Sequence, residues 1–356
     1  MNFSAGASYI DPRILDRLDT GIMQKSHRDP GGAVQNVLVE VQSRVRWLLS
    51  VPDNYHVLLM HGGAHAQFSA IPLNLKASKI GYVNTGQWSR KFAGEASKFC
   101  EVEEVAWSTT RFPYEEEWAS GGSRIVHVCA NETMSGIEMH HDPESQHTLV
   151  ADFTSTLMSR PVDVSRYGVI YASAGKNLGT PGFCVVIVRR DIVAEVPDSV
   201  PSVLSWKVAA ASLPIQNLYN TPPILPIQIS NEVLGDYIAN GGVAHYRERA
   251  SRLSGLLYAC VERSGGFYQN AVSACSRSHM NVVFDLYAPD LAEAFLAEAE
   301  SRGMYQLRNH PMATGGVRVT VYNMIPDEYF DALVDFMEEF RGRHGGGASR
   351  APIACV

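Results

Sequence analysis

One lysine, Lys176, closely follows a strand-like apolar run and is preceded by small residues. The run covers residues 169–171, and the segment Ala172-Ser173-Ala174-Gly175 separates it from the lysine. A lysine at the end of a strand can reach into a cleft, where desolvation lowers the pKa of its amine and a Schiff base with an aldehyde becomes feasible. On this segment alone, an ordinary solvated lysine on a loop stays an open alternative.

A second chemical group, Asp152, lies in apolar sequence between Ala151 and Phe153. A carboxylate at the end of a buried strand is costly unless it has a cationic or hydrogen-bonding partner. A protonated pyridine nitrogen would be such a partner, and its charge is what allows a pyridoxal ring to accept electrons. The open alternative is an aspartate that caps the next helix.

The segment His61-Gly62-Gly63-Ala64-His65 follows another strand-like run, at residues 56–60. Small residues where a strand passes into a helix let backbone N–H groups approach a phosphate at the helix N-terminus. The pattern is weak, because it is neither a G-x-G-x-x-G sequence nor a Walker sequence. Nearby, Trp88 could stack on an aromatic cofactor, and a tryptophan of the hydrophobic core is an equally open alternative.

Together these features supply what one cofactor, pyridoxal 5'-phosphate, requires: an amine for its aldehyde, a partner for its pyridine nitrogen, a phosphate site and an aromatic face. Ordered segments along nearly the whole chain also carry a family resemblance. They are Asn2-Phe3-Ser4-Ala5-Gly6, Ser26-His27-Arg28, Gly62-Gly63-Ala64, Gln67-Phe68, Pro72-Leu73-Asn74-Leu75, Thr85-Gly86, Trp88-Ser89, Asn131-Glu132-Thr133, Val150-Ala151-Asp152, Ser159-Arg160-Pro161, Asp163-Val164-Ser165, Tyr167-Gly168-Val169-Ile170-Tyr171-Ala172, Lys176-Asn177, Asn220-Thr221-Pro222-Pro223, Gly315-Gly316, Arg318 and Tyr322-Asn323. On these segments the sequence resembles the phosphoserine aminotransferase family, a class V aminotransferase group with the fold-type I architecture of pyridoxal-phosphate enzymes.

The resemblance implies a role for each cofactor-binding position. Lys176 would form the Schiff base, and Asp152 would hold the pyridine nitrogen. Trp88 would stack on the ring, and Thr133 would bond the side of the ring that carries its phenolic oxygen. Ala64 and His65 occupy the positions of the phosphate cradle, and Asn220 and Thr221 are the two remaining cofactor-binding positions.

These last two residues, Asn220 and Thr221, match positions that reach the cofactor phosphate from the neighbouring subunit in the family. The resemblance therefore implies a homodimer with shared active sites.

The resemblance also implies a cationic substrate pocket. Arg318 matches the arginine that binds the substrate α-carboxylate as a bidentate fork, a geometry that lysine cannot copy. His27, Arg28 and His310 fall where the family binds the substrate phosphate. With Arg308 added, we expect these five side chains to form one pocket for an acidic substrate.

The departures from the family pattern lie around the phosphates. Gly175 stands where the family usually has glutamine, and Pro311 stands where an arginine would bind the substrate phosphate. The loss of such a charge-assisted hydrogen bond costs about 1.5–3 kcal/mol. We consider Arg308 as its replacement.

Because Lys176 and Asp152 are present, we expect a glutamate-dependent aminotransferase whose acceptor is 3-phosphohydroxypyruvate or a close analogue. Three alternatives stay open: a non-phosphorylated 2-oxo acid as the substrate, another pyridoxal-phosphate reaction such as elimination or decarboxylation, and a binding protein that has this fold but no cofactor.

Alternating strand-like and helical patterns predict an α/β protein. Strand-like runs lie at residues 56–60, 80–83, 125–129, 149–153, 169–172 and 184–188, and an amphipathic helix covers residues 34–49. We expect a large, mostly parallel sheet between helices, with part of it antiparallel, and a smaller C-terminal α+β domain. The expected limits are 1–15 for an N-terminal segment that joins the small domain, 16–229 for the large domain, 230–343 for the small domain and 344–356 for a flexible tail.

Composition and charge exclude several classes of protein. The chain has 356 residues, 30 Lys and Arg against 37 Asp and Glu, and a net charge of −7, which argues against a nucleic-acid-binding protein. Its longest apolar runs are far shorter than the roughly twenty residues of a membrane helix. The first ten residues resemble no signal or transit peptide, so we expect a cytoplasmic protein.

Cysteine and histidine positions give no metal signature. The six cysteines lack C-x-x-C spacing, and we expect reduced thiols. His140 and His141 are adjacent, so their side chains should point in different directions, and no further ligands follow at metal spacing. We therefore expect a surface loop there and no metal site.

Overall fold

The computed structural model describes residues 1–119, 121–212, 215–313 and 316–345. Its helices are α1 (Pro12–Leu15), α2 (Ala33–Leu48), α3 (Ala64–Asn74), α4 (Gln87–Ala96), α5 (Arg190–Ala194), α6 (Trp206–Ala211), α7 (Ile224–Ala239), α8 (Gly242–Arg263), α9 (Pro289–Ser301) and α10 (Glu328–His344). Its strands are β1 (Tyr55–His61), β2 (Lys79–Asn84), β3 (Glu101–Trp107), β4 (Ile125–Cys129), β5 (Asn131–Glu132), β6 (Ile137–Glu138), β7 (Thr148–Asp152), β8 (Val169–Ser173), β9 (Phe183–Arg189), β10 (Tyr268–Gln269), β11 (Asn281–Leu286) and β12 (Val317–Thr320). Short 3₁₀ helices lie at Thr20–Gln24, Glu115–Glu117, Val164–Arg166 and Ala274–Ser276.

A seven-stranded sheet in the order β1-β9-β8-β7-β4-β2-β3 forms the centre of the fold. The strands from β8 to β3 are parallel, whereas β9 runs antiparallel to both β8 and β1. The inner strands are buried along nearly their whole length because helices cover both faces of the sheet. The expected α/β class, with a mostly parallel sheet that is antiparallel in part, is confirmed.

Alternate residues of β1 enter the hydrophobic cores on opposite faces of the sheet. Val57 and Leu59 pack in the core that contains α2 and α7. Leu58 and Met60 pack in the core that contains α3, α4 and α6. This alternation follows from the two-residue repeat of a strand.

Strand β3 and helix α7 are among the elements that were not predicted from the sequence. Strand β3 begins with Glu101 and lies at the edge of the sheet, where charged side chains remain in solvent and hide the apolar pattern. Helix α7 packs against α2, and its buried residues leave no continuous polar face for a periodicity argument to detect. Because α7 spans Ile224–Ala239, the expected domain limit at 229/230 falls inside a helix, and the division of the chain into domains stays a prediction.

A second core lies in the C-terminal part of the chain, between the antiparallel sheet β10-β11-β12 and helices α8, α9 and α10. Phe3 belongs to this core and is fully buried, with its ring edge-to-face against those of Tyr329 and Phe330. The backbone N–H of Phe3 also donates to the carbonyl oxygen of Tyr305 over 3.1 Å. The start of the chain thus packs against the C-terminal core, whereas Ile14 already packs in the core beneath the large sheet.

Among the described residues, no helix combines the length and the apolar character needed to cross a bilayer. Helix α10 continues to His344. The remainder of the expected tail, residues 346–356, and Gly315 of the matched segment Gly315-Gly316 lie outside the described residues.

Candidate active site

A cavity of about 170 Å³ opens at the carboxyl ends of the parallel strands, where open α/β sheets bind their ligands. The last residues of β4, β7 and β8, which are Cys129, Asp152 and Ser173, all face it. The other residues that line it are Gly63, Ala64, His65, Trp88, Asn131, Thr133, Thr154, Ser155 and Lys176. The topology thus brings six of the expected cofactor-binding residues into one cavity: Ala64, His65, Trp88, Thr133, Asp152 and Lys176.

Lys176 lies in a turn that follows β8, and the backbone N–H of Lys176 donates to the carbonyl oxygen of Ala174 over 2.8 Å. Its Nζ donates to the carbonyl oxygen of Gly6 over 2.7 Å and also contacts that of Ala5. The pKa of the Lys176 amine is lowered to about 8, mainly by burial and in addition by the charge of Arg318, while the charge of Asp152 opposes the shift. A sizeable fraction of this amine is therefore uncharged near neutral pH, as a nucleophile or a base must be.

Asp152 ends β7 and is 6% exposed. Burial raises the pKa of its carboxyl group, while hydrogen bonds from Thr154 and Tyr171 oppose that shift. The backbone N–H of Thr154 donates to Oδ1 of Asp152 over 2.8 Å. A buried carboxylate of this kind is matched to a cationic ligand group, such as a protonated ring nitrogen.

Behind Asp152 lies a polar pair that sequence reasoning did not single out, Tyr171 and His127. The hydroxyl of Tyr171 is 2.8 Å from Nε2 of His127, and the imidazole ring stacks on Phe92 with ring centres 3.5 Å apart. Burial lowers the pKa of His127 to about 3, so the ring is neutral. Because the sequence only shows His127 as one residue of an apolar strand, nothing in it indicated this contact.

Helix α4 places Trp88 at the cavity, and the helix N-terminus is held by a buried carboxylate. Nε1 of Trp88 donates to Oγ1 of Thr133 over 2.9 Å. Glu132 accepts from the backbone N–H of Trp88 over 2.9 Å and from that of Ser89 over 2.8 Å. A negative charge at the N-terminus of a helix also interacts favourably with the helix dipole. A Cβ on Gly86 would lie 2.8 Å from the Glu132 carboxyl group, so only glycine fits there.

The N-terminus of helix α3 faces the same cavity through Gly63, Ala64 and His65. No side chain caps this helix, so its first backbone N–H groups are available to an anion. Gly62, just before it, has a φ of +84°, a conformation that favours glycine. The predicted phosphate cradle thus has the helix geometry that it requires.

Arg318, on β12, lies beside the cavity. Its Nη1 donates to the carbonyl oxygen of Thr133 over 3.3 Å. Its buried Nε has no hydrogen-bond partner among the described residues. A guanidinium with an unused donor next to Lys176 can bind a carboxylate.

None of the five expected substrate-binding residues is among those that line this cavity within one chain. Arg308 donates to the carboxylate of Glu293 over 2.6 and 2.7 Å at the surface, so it is not brought to the place of the missing phosphate arginine. His310 is exposed, and its Nδ1 accepts from the backbone N–H of Met312. His27 and Arg28 lie in a turn before α2, with Arg28 exposed. Of the five residues of the expected pocket, only Arg318 lies beside the cavity in the single chain, because the other four lie in surface segments.

Asn220 and Thr221 are exposed and also do not line the cavity around Lys176 within one chain. They lie in the connection between α6 and α7.

The residues present fit pyridoxal 5'-phosphate. The cavity offers a nucleophilic amine, a buried carboxylate that requires a cation, an aromatic side chain and an uncapped helix N-terminus. Each corresponds to one functional group of the cofactor.

Comparisons with known proteins agree with this geometry. The family model of class-V aminotransferases matches residues 1–303. A phosphoserine aminotransferase from Bacillus circulans subsp. alkalophilus is similar with 36% identity and a TM-score of 0.90, over 96% of this chain and 98% of that chain. A pyridoxal-phosphate-bound phosphoserine aminotransferase from Trichomonas vaginalis shares 29% identity with a TM-score of 0.87, over 94% of this chain and 99% of that chain.

A more distant structure, an alanine–glyoxylate aminotransferase from a Nostoc species, shares only the fold, at 17% identity and a TM-score of 0.78 over 95% of this chain and 94% of that chain. The match of the family model over most of the chain, together with 36% identity over nearly its full length, shows the family. The chain belongs to the class-V aminotransferases, as a phosphoserine-aminotransferase-like, pyridoxal-phosphate-dependent enzyme.

Proposed function

We propose that this aminotransferase moves the amino group of glutamate to a 2-oxo acid that carries a second anionic group, 3-phosphohydroxypyruvate or a close analogue. The observation that carries the proposal is the 36% identity with a phosphoserine aminotransferase over 96% of the chain. Arg318 supports the 2-oxo acid part of it, because its Nε has no hydrogen-bond partner among the described residues and can donate to the α-carboxylate.

Pyridoxal phosphate, when bound, supplies an aldehyde and an electron-accepting ring. Lys176 then acts as the base, because its Nζ has a pKa of about 8 and can take the proton from the substrate α-carbon and return it. Arg318 orients the substrate by its carboxylate so that this carbon faces Nζ. Asp152 would hold a positive charge at the ring nitrogen, and the hydrogen bond from Tyr171 favours the ionised form of Asp152.

The site for the second anionic group of the substrate departs from the family pattern. Pro311 cannot replace an arginine, and Arg308 is bound to Glu293. These two observations favour a second candidate, a 2-oxo acid without a phosphate, which we treat as the competing outcome of the test.

The kinetic test compares kcat/KM for 3-phosphohydroxypyruvate with that for hydroxypyruvate, pyruvate and glyoxylate, with glutamate as donor. We expect the phosphorylated acid to be preferred over hydroxypyruvate by at least about tenfold, the value of one charge-assisted hydrogen bond. Equal or better use of hydroxypyruvate would overturn the phosphoserine-type assignment and favour the second candidate.

The reaction type is tested separately. Glutamate alone should convert the bound cofactor to its pyridoxamine form, seen as the loss of the visible absorbance band, and a 2-oxo acid should restore it. An elimination enzyme would instead release ammonia from phosphoserine without an acceptor and keep the band.

We also propose a homodimer in which Asn220 and Thr221 of each subunit complete the partner's phosphate site. Their exposure in the single chain is consistent with this role. The test mixes two inactive variants, Lys176→Ala and the double variant Asn220→Ala with Thr221→Ala. In a two-fold dimer, half of the randomly mixed molecules have one intact site, so about a quarter of the activity should return. No recovery after mixing, with dimers present, would place both residues in their own subunit's site.

A further inference from the structure

Glu138, His140 and His279 lie together away from the cofactor cavity, and none of them is among the described residues that line it. One ligand atom from each, a carboxylate oxygen or a ring nitrogen, lies within 4.8 Å of the other two. Zinc bonds of about 2.0–2.2 Å at tetrahedral angles place two ligand atoms about 3.3–3.5 Å apart. Nδ1 of His140 and Oε1 of Glu138, 3.6 Å apart, are already close to this spacing.

Glu138 ends β6 and is only 2% exposed. Its Oε2 accepts from the backbone N–H of His279 over 2.8 Å and from the hydroxyl of Ser278 over 3.1 Å. These two bonds fix the carboxylate plane and leave Oε1 directed at His140. A buried carboxylate is normally paired with a cation or bound to a metal.

Two arginines of this region have other carboxylate partners. Arg160 donates to Asp142 over 2.9 Å, and Arg277 donates to Glu262 over 2.5 Å. Within the described part of the chain, the sole basic group within 4.0 Å of Glu138 is therefore His140.

The tautomer of His140 is set by its other ring nitrogen. Nε2 lies 2.9 Å from the carbonyl oxygen of Arg277. A carbonyl oxygen only accepts, so Nε2 carries the hydrogen, and Nδ1 of the neutral ring presents its lone pair to Glu138. At 3.6 Å these two atoms are too far apart to share a hydrogen bond. A carbonyl that fixes the tautomer behind a lone pair is the arrangement typical of metal-binding histidine.

We infer that Glu138, His140 and His279 form a binding site for a divalent transition-metal ion of the zinc type, with two nitrogen ligands, one oxygen ligand and water in the fourth position. The nitrogen ligands favour Zn²⁺ over Mg²⁺ and Ca²⁺, which prefer sites made of oxygen atoms. His279 precedes β11, whereas the other two residues belong to the segment that includes β6. The ion joins these two segments, which are far apart in the sequence.

The direct test titrates Zn²⁺ into the pyridoxal-phosphate-loaded enzyme in competition with a chromophoric chelator. His140→Ala and His279→Ala are compared with His141→Ala, a matched control because His141 instead contacts Glu115 over 2.9 Å. We expect one tight Zn²⁺ per chain in the wild type and in the control, and an affinity at least about 100-fold lower in the two ligand variants. Unchanged zinc affinity in both ligand variants, or no zinc binding by the wild type, would overturn the inference.

A second readout is the melting temperature. Zn²⁺ should raise it in the wild type and in His141→Ala but not in the ligand variants, and Mg²⁺ should raise it in none. His140→Gln and His279→Gln, which keep a polar side chain, serve if an alanine variant does not fold, as judged by the absorbance of the bound cofactor. An equal rise in all variants would place the zinc elsewhere and contradict the inference.

Discussion

The Nζ of Lys176 lies 2.7 Å from the carbonyl oxygen of Gly6, so the start of the chain covers the reactive lysine. A second contact holds this arrangement, because the backbone N–H of Ser8 donates to the carbonyl oxygen of Gly175 over 3.2 Å. Upstream, Phe3 is fully buried in the C-terminal core. The N-terminal segment thus joins that core to the lysine.

Phe3→Ala should therefore lower the free energy of unfolding by more than is usual for a substitution near the start of a chain. Loss of a fully buried phenylalanine costs about 3–5 kcal/mol in the free energy of unfolding. Urea unfolding of the holoenzyme measures this cost. Tyr305→Ala is the control, because the Tyr305 side chain is 52% exposed while its backbone carbonyl makes the bond to Phe3. Equal losses in both variants would contradict the anchoring role of Phe3.

The pKa of Lys176 predicts how cofactor attachment depends on pH. Only the uncharged amine attacks an aldehyde, so the rate at which the apoenzyme takes up pyridoxal phosphate should rise with pH, with a midpoint near the Lys176 pKa of about 8. The positive charge of Arg318 lowers that pKa and the negative charge of Asp152 raises it. Arg318→Gln should thus move the midpoint up, and Asp152→Asn should move it down. Shifts in the same direction, or none, would show that these charges do not act on the amine.

Local sequence patterns predicted much of the fold and the centre of the site, because both depend on short segments. Most of the parallel strands are continuous apolar runs. Asp152 ends one strand, and Ala64 and Lys176 follow others whose carboxyl ends meet at the same edge of the sheet. The order of the parallel strands in the sheet is then sufficient to bring these residues together. The residues behind them, such as Tyr171, could not be identified because a buried tyrosine in a strand looks like core.

Contacts between distant segments were the part that the sequence could not reveal. Arg308 was expected at the substrate, but Glu293, on a neighbouring helix, binds it at the surface. His140 was expected to lie in a loop without further ligands, but Glu138 and His279 lie beside it. The sequence did not indicate this cluster because His279 comes from a remote part of the chain, and no local spacing rule detects a side chain that the tertiary fold brings close.

The hydrogen bond between Trp88 and Thr133 should contribute to cofactor binding as a pair. Trp88→Phe keeps an aromatic ring but loses the 2.9 Å bond, and Thr133→Val loses its acceptor. Each single variant should weaken pyridoxal-phosphate affinity, and the double variant should weaken it by less than the sum, with a coupling energy of about 0.5–3 kcal/mol. The dissociation constants of the four proteins form a double-mutant cycle. Additive effects in this cycle would show that the hydrogen bond does not position the ring of Trp88 for the cofactor.

Tyr171→Phe tests the support of Asp152. The hydrogen bond from Tyr171 lowers the pKa of the Asp152 carboxyl group, so its loss should raise that pKa and move the acid limb of the kcat/KM profile to higher pH. The value of a hydrogen bond to a charged group predicts a fall of about tenfold to a hundredfold in kcat/KM. Tyr55→Phe is the control, since Tyr55 is also buried and bonded, to the carbonyl oxygen of Tyr167 over 2.6 Å. A fall without a shift of the acid limb would indicate a packing role only.

Removal of the cofactor should reverse the effect of Asp152 on stability. Burial raises the pKa of this carboxyl group, so in the apoenzyme its contribution to stability is present below the pKa of the unfolded chain and is lost as pH rises through the higher folded value. At neutral pH, Asp152→Asn should thus leave the apoenzyme as stable as the wild type, or more stable by about 1–3 kcal/mol.

In the holoenzyme the same substitution should destabilise the protein. The carboxylate of Asp152 then has a cationic partner, and the neutral amide of the asparagine variant cannot form that ion pair. Melting temperatures of apo and holo forms, compared with those of Asp335→Asn on the exposed side of α10, measure the difference. If Asp152→Asn lowered the melting temperatures of both forms equally, the charge of Asp152 would stabilise the folded chain and would not act through the cofactor. Opposite signs would tie the charge to the ring nitrogen, because the bound cofactor is all that distinguishes the two forms.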